Sequence, residues 1–338
     1  MEELSLLILG AGWTATFLIP LLRSRNISFA ATTTTGRPVA DEPTLPFKFN
    51  PSAPEHEIRS AIAALPRARH ILVTFPLTGA GPSKLLHSIY TETHLTSAST
   101  SSIKSEKDSI QFRFIQLGST GIWQQRQQQS SAPTPAPALP SSSLPPSPWL
   151  TRHSPYARET NPRAVAEDEL LALGGCVLNL AGLWGGARNP RGWARRVAPT
   201  RDAVRAKASL HLVHGFDIAR AIVRLVEGGP PSGSSSDSQE GNGNGSSSSF
   251  WEKVGRGQRW MVTDGFVYDW WALLAGWAEE EEENEGGEQM ERARWVFELM
   301  REEGVRGLPR SPETLGRCYD TREFWETFGL VPLKARVC

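Results

Sequence analysis

The chain has 338 residues, with 36 basic and 36 acidic side chains balancing to zero net charge. The length admits one large α/β unit or two ordinary ones, and the charge balance argues against a broad basic surface for nucleic acid. Its three cysteines, Cys176, Cys318 and Cys338, are odd in number and lack Cys-x-x-Cys spacing, which argues against a disulfide framework or a metal site and fits a reducing compartment such as the cytoplasm.

Residues 5–9, a short apolar run stopped by Gly10, read as a buried parallel strand. The wider stretch 4–22 is nearly charge-free and close to the length of a membrane span. Glu2 and Glu3 stand where a leader would carry positive charge, and two glycines and Pro20 interrupt the run. A strand followed by a helix over 14–23 is therefore expected in place of an anchor. A second strand is expected over 27–33, a helix over 55–65, strands over 70–75 and 112–117, a helix over 163–173 and a strand over 176–180. Strands and helices in alternation predict a doubly wound α/β parallel sheet with helices on both faces. Four low-complexity stretches, 91–109, 124–148, 228–249 and 278–289, bury too little apolar surface to order themselves and read as insertions in surface turns.

Gly10-x-Gly12-x-x-Ala15 falls between the first strand and the first helix. There Gly10 permits a tight turn, Gly12 lets a pyrophosphate approach the backbone, and Ala15 lets helix and strand pack closely. Trp13 and Thr14 open the helix, whose free N–H groups attract phosphate. This is the signature of a Rossmann dinucleotide site. The end of the second strand reads Thr32-Thr33-Thr34-Thr35-Gly36-Arg37, with no carboxylate before Asp41. An NAD site places an acidic residue there. Thr34 and Arg37 suit a 2′-phosphate instead, so NADP is favoured over NAD. The expected organisation is an NAD(P)-binding domain over 1–227, a linker over 228–249, and a substrate-side subdomain over 250–338.

Five segments in order resemble the atypical, extended short-chain dehydrogenases/reductases, the NAD-dependent epimerase/dehydratase-like group. They are residues 10–13 (Gly-Ala-Gly-Trp), 117–123 (Leu-Gly-Ser-Thr-Gly-Ile-Trp), 180–188 (Leu-Ala-Gly-Leu-Trp-Gly-Gly-Ala-Arg), 211–222 (His-Leu-Val-His-Gly-Phe-Asp-Ile-Ala-Arg-Ala-Ile) and 261–265 (Met-Val-Thr-Asp-Gly). The resemblance implies that Ser119 takes the place of the catalytic serine, with Thr120 as its neighbour and substitute. It implies that Phe75 and Pro76 line the nicotinamide half of the cofactor. It also puts Arg188 where some members contact a substrate phosphate, and His214 at a mostly structural position beside the substrate segment. The implied activity is an NADP-dependent oxidoreductase or epimerase acting on a small carbonyl or sugar-like substrate. Neither a nucleic-acid partner nor a membrane is expected, and the oligomeric state is open.

One departure weighs against turnover. Such enzymes use a Tyr-x-x-x-Lys pair, in which the lysine primes the phenol for proton transfer. The four tyrosines, Tyr90, Tyr156, Tyr268 and Tyr319, are followed four residues on by His94, Thr160, Ala272 and Glu323. Arg163 and Glu167 occupy the expected slots. Tyr156 either swings in as a displaced acid or packs as a loop aromatic, and Ser119 is either catalytic or a turn residue. A cofactor-binding sensor or scaffold is thus the alternative function. Asp217 is expected to cap the helix that follows it. Lys207 and Arg188 either face an acidic substrate or are surface charges. Trp270, Trp271, Trp277, Trp295 and Trp325 either pack the core or wall a substrate cleft.

Overall fold

The computed structural model describes residues 3–95, 112–124, 147–229, 250–278 and 287–335. Its first strand, β1 (Leu4–Leu9), shows how the sheet is made. Leu6 and Ile8 point into one apolar cluster and Leu7 and Leu9 into another, as the two-residue period of a strand requires. Both faces are buried, which is why the run is apolar without alternation. The other strands of the sheet are β2 (Phe29–Thr33), β3 (Leu45–Pro46), β4 (Ala68–Val73), β5 (Arg113–Ser119), β7 (Cys176–Leu180) and β11 (Arg259–Val262). They form one parallel seven-stranded sheet in the order β11-β7-β5-β4-β1-β2-β3. Ile8 of β1 sits opposite Leu72 of β4 and Ala31 of β2.

Helices Trp13–Ser24, Gly215–Glu227 and Arg322–Phe328 cover one face of the sheet. Helices Glu55–Ala63, Pro82–His94 and Pro162–Ala172 cover the other. This is the Rossmann-type doubly wound fold. Residues 4–22 divide between β1, the glycine turn and the first helix, and none of the described helices is long and apolar enough to cross a membrane. Shorter strands, β6 (Trp149–Leu150), β8 (Gly182–Trp184), β9 (Ser209–Leu210), β10 (Leu212–His214), β12 (Tyr268–Asp269) and β13 (Cys318–Tyr319), pair two by two outside the sheet.

Several expectations are corrected. The low-complexity stretches lie mostly outside the described residues, but two of their ends are helical. Thr91–His94 complete the Pro82–His94 helix, because His94 stacks on Tyr90 at 4.0 Å and bonds the Leu65 carbonyl at 2.8 Å. Residues 287–289 open the Gly287–Glu302 helix, where Glu288 pairs with Arg195 at 3.1 Å and Gln289 accepts from Arg191 at 3.1 Å. The boundary at 228–249 does not divide the molecule in space. Strand β11, beyond it, completes the sheet beside β7. Residues before it, Ala194, Ala198 and Val204, form a second core with Trp270, Trp271, Trp277, Val296 and Leu299. Trp271 is fully buried there, and Trp325 donates to the Thr263 carbonyl at 2.9 Å, so these indoles serve packing. Asp217 is not the N-cap. His214 is, its Nδ1 accepting from the Phe216 N–H at 3.0 Å. Asp217 instead lies in the first turn, fully buried, and accepts from the N–H groups of Leu333 and Lys334. It thereby pins the C-terminal segment to the helix.

Candidate functional site

A cavity of about 320 Å³ opens at the carboxyl ends of β1, β4, β5 and β7. Gly12, Trp13, Thr14, Thr74, Pro76, Leu117, Gly118, Arg163, Leu180, Leu183 and Arg188 line it. This is where an open α/β sheet binds ligands, outside the strand ends near the reversal of strand order.

The glycine turn is built for a ligand. Gly10 adopts φ +87°, a conformation open to glycine. A Cβ there would also lie 2.9 Å from both Phe75 Cδ1 and Thr74 Oγ1, and the Thr74 hydroxyl donates to the Gly10 carbonyl. Thr32 Oγ1 accepts from the Gly10 N–H at 3.1 Å and its carbonyl from Ala11 at 2.6 Å, which ties the turn to β2. Gly12 differs. A methyl on it would meet no protein atom closer than 3.8 Å, so the bare Cα faces the cavity. Ala15 is buried against the sheet. The first helical turn carries no side-chain cap and no acidic residue. Its orphan N–H groups and the positive end of the helix dipole are therefore available to an anion. A shaped cradle, an open Cα and uncapped donors all fit a dinucleotide diphosphate.

Around this turn the sequence candidates disperse. Thr34 and Arg37 are exposed just beyond β2, and neither lines the cavity. Their loop is fixed by Thr44, whose hydroxyl lies 2.9 Å from Thr33 Oγ1 and donates to the Arg37 carbonyl at 2.7 Å. Phe75 stacks on Phe49 at 6.2 Å beneath Gly10, while Pro76 lines the cavity. Ser119 ends β5, and its Oγ accepts from the Gly121 N–H at 3.1 Å, capping a short helical turn. Thr120 is buried next to it. Neither hydroxyl is part of the cavity lining, although the preceding Gly118 is. Arg188 lines the cavity; His214 does not, its ring lying edge-on to Trp184 at 4.7 Å. Burial lowers the His214 pKa.

Arg163 and Glu167, the residues expected at the Tyr and Lys positions, have different surroundings. Arg163 lines the cavity. Glu167, one helical turn further, is fully buried and forms an ion pair with Arg259 of β11. Asn179 Nδ2 donates to Glu167 at 2.8 Å, and Arg259 donates to Asn179 Oδ1 at 3.0 Å and Asp168 at 2.7 Å. Burial raises the Glu167 pKa against the opposing pull of Arg259. A methyl on Gly118 would collide with the Glu167 carboxylate, so this glycine makes room for the pair. Tyr156 donates to Asp168 Oδ1 at 2.6 Å, and the Arg259 guanidinium lies 4.7 Å from its ring. Its hydroxyl is engaged away from the cavity lining. Arg163 and Arg259 were the residues whose part sequence reasoning missed. Helical spacing pointed to Arg163, but nothing local marked a buried arginine in a late strand.

A second cavity of about 290 Å³ is lined by Lys207, Ser209, Trp270, Leu315 and Arg317, with Ala206 and Ala208. The Ser209 hydroxyl and Arg317 Nε are buried without a hydrogen-bond partner. Arg317 lies 5.7 Å from the Tyr319 ring, whose hydroxyl donates to the Thr120 carbonyl at 3.2 Å. One tyrosine therefore joins this cationic cavity to the turn at the end of β5.

The sequence matches no protein-family model and no curated protein. Solved structures do match. One is a candidate NAD-dependent epimerase/dehydratase from Methylobacillus flagellatus, at 14% identity and TM-score 0.50, covering 96% of this chain and 92% of that one. A short-chain dehydrogenase/reductase superfamily protein from Agrobacterium tumefaciens with bound NAD matches at 10% identity and TM-score 0.50, over 98% and 93%. A reductase engineered to attenuate substrate inhibition matches at 11% identity and TM-score 0.52, over 98% and 96%. The described residues thus share the Rossmann-type fold of these structures.

Proposed function

We propose that this protein binds NADP at the cavity beside Gly10 and Gly12 and acts as an oxidoreductase or epimerase on a small carbonyl or sugar-like substrate bearing an acidic group. The observation that carries the reading is the uncapped glycine turn, opening onto a cavity whose only charged lining residues, among the described residues, are Arg163 and Arg188. Arg37 beyond β2, with no side-chain ion pair among the described residues, supports a 2′-phosphate. A bound nicotinamide supplies the hydride. Arg163, in the slot of the missing tyrosine, would polarise the substrate oxygen without exchanging a proton, since guanidinium stays protonated. Ser119 or Thr120 would orient that oxygen after a small change at the β5 turn, and water would carry the proton. Lys207 and Arg317 would hold the acidic group in the second cavity.

A binding protein without turnover is the second reading. It is favoured by the commitment of Tyr156 to Asp168 and of Glu167 to Arg259. The experiment is NADPH and NADH binding by calorimetry, followed by a panel of carbonyl compounds with and without acidic groups. Coenzyme binding, with NADPH preferred and that preference lost in Arg37→Glu, supports the cofactor reading. Absence of binding to either coenzyme rejects it. Turnover of acidic carbonyl compounds separates the enzyme from the sensor.

A further inference from the structure

We propose that Arg188 forms the second half of a diphosphate grip, facing the glycine turn across the cavity and seated on Trp13. This rests on the reading that the cavity takes a dinucleotide. Trp13 is the first residue of the glycine-turn helix, and its indole N–H donates to the Gly185 carbonyl at 3.0 Å. Gly185 and Arg188 close a tight hairpin through two backbone hydrogen bonds, 2.9 and 3.1 Å. The hairpin is locked from below. Gly185 has φ +105°, and a methyl there would collide with the His214 ring. Phe17 packs edge-on against both Trp13 at 5.1 Å and His214 at 5.2 Å. A side chain on Gly215 would collide with Phe17. These contacts fix where the hairpin begins and where its arginine emerges.

The Arg188 guanidinium lies 4.5 Å from the centroid of the Trp13 ring and lines the cavity. It is exposed and has no carboxylate or other hydrogen-bond partner among the described residues. A guanidinium resting on an indole by its face keeps its N–H edges free, and those edges match two oxygens of a phosphate. Arg163 is the other charged lining residue, and among the described residues no carboxylate joins them. The cavity is therefore short of negative charge at the end where Trp13 and Gly12 lie. The resemblance placed Arg188 toward a substrate phosphate. Its position on the first residue of the phosphate-turn helix assigns it to the cofactor instead.

The test titrates the full chain, as wild type, Arg188→Met, Arg188→Lys and Trp13→Phe, with NADPH, NADH and adenosine by calorimetry. Arg188→Met is expected to weaken NADPH and NADH by the same factor, about ten- to a hundredfold for a lost charge-assisted pair. Arg188→Lys recovers part of that loss, because the charge returns without the fork. Trp13→Phe produces an intermediate loss. Adenosine, which has no phosphate, binds all four alike. Equal loss for both coenzymes separates this role from the Arg37 effect, which falls on NADPH. Wild-type affinity for both coenzymes in Arg188→Met and Arg188→Lys overturns the grip while leaving the cofactor reading intact. Wild-type protein that binds neither coenzyme overturns both.

Discussion

Replacing Arg259 with methionine tests whether the buried charge cluster, and not a catalytic lysine, is what the Glu167 slot serves. Arg259 is 7% exposed and Glu167 is fully buried. The substitution keeps most of the volume but leaves the carboxylate facing Asn179 alone, while Asp168 keeps its bond from Tyr156. Truncating one partner of a buried ion pair costs about 3–5 kcal/mol. That figure applies when the carboxylate must remain charged. In the folded variant Glu167 can escape by taking up a proton, because burial already raises its pKa and the arginine that opposed this is gone. A carboxyl with a raised folded pKa contributes stability at low pH and loses it as pH rises from its unfolded value through the folded one. The loss relative to wild type is therefore expected to widen with pH, by up to about 1.4 kcal/mol per unit. Urea unfolding of both proteins at pH 5, 6.5 and 8 measures it. Near pH 8 the difference should approach the full pair value, and near pH 5 it should shrink by half or more. A difference under about 1 kcal/mol, or one that is flat across pH, would refute a buried ion pair at this position.

Two further substitutions probe the turn and the second cavity. Gly10→Ala is expected to destabilise by roughly 1–3 kcal/mol and weaken coenzyme binding, because the methyl meets both strain and two side-chain atoms at 2.9 Å. Gly79→Ala, also at positive φ but with nothing within 4 Å, supplies the control for strain alone. Equal thermal shifts in the two variants would remove the collision from the argument. His211 is buried beside the positive Arg317, and burial first, then that charge, pushes its pKa down to about 3. The folded ring is therefore neutral where the unfolded one takes a proton, and stability falls as pH drops from about 6.5 toward 3, by about 1.4 kcal/mol per unit. Asp264, raised by burial to about 6, works in the opposite sense. His211→Gln should flatten the pH dependence of the urea midpoint between pH 4 and 6, and an unchanged slope would show that the ring is protonated in the folded state.

The sheet was legible wherever a strand is buried on both faces. Strand β7 matches the apolar run 176–180 residue for residue, and the β1–turn–helix unit follows from five apolar residues meeting two glycines. Short strands were not legible, since two residues such as Ser209–Leu210 contain no period to read. Nor was the partner of β11. β11 is an edge strand, as a charged residue at its start suggests, yet Arg259 is buried and points to a carboxylate 92 residues earlier. His214 escaped notice as a cap because the usual caps are small oxygen-bearing side chains, and here an imidazole nitrogen accepts the same N–H. At the site, the glycine turn could be read from spacing. The dispersal of Ser119, Tyr156 and His214 depends on which partner each polar atom meets across the fold, and sequence order does not encode that.

If Arg163 and Glu167 stand where the resemblance puts a Tyr-x-x-x-Lys pair, their surroundings explain why its absence leaves no hole. Residues four apart on a helix share a face, so whatever replaces the pair must divide between the cavity and the sheet behind it. Here the outer position went to a cation, Arg163, and the inner one to an anion, Glu167, with the balancing cation arriving from β11. That exchange fixes charge where a phenol would have moved a proton. A permanently protonated guanidinium can hold an oxygen or an anion in place but cannot serve as an acid at neutral pH. Tyr156, the phenol nearest the helix in sequence, donates its hydroxyl hydrogen bond to Asp168 and has its ring against Arg259, so recruiting it would require breaking those contacts. The cavity is therefore organised to bind and polarise. On the proposed function, the proton of any reaction there would come from water or from the Ser119–Thr120 turn after it moves.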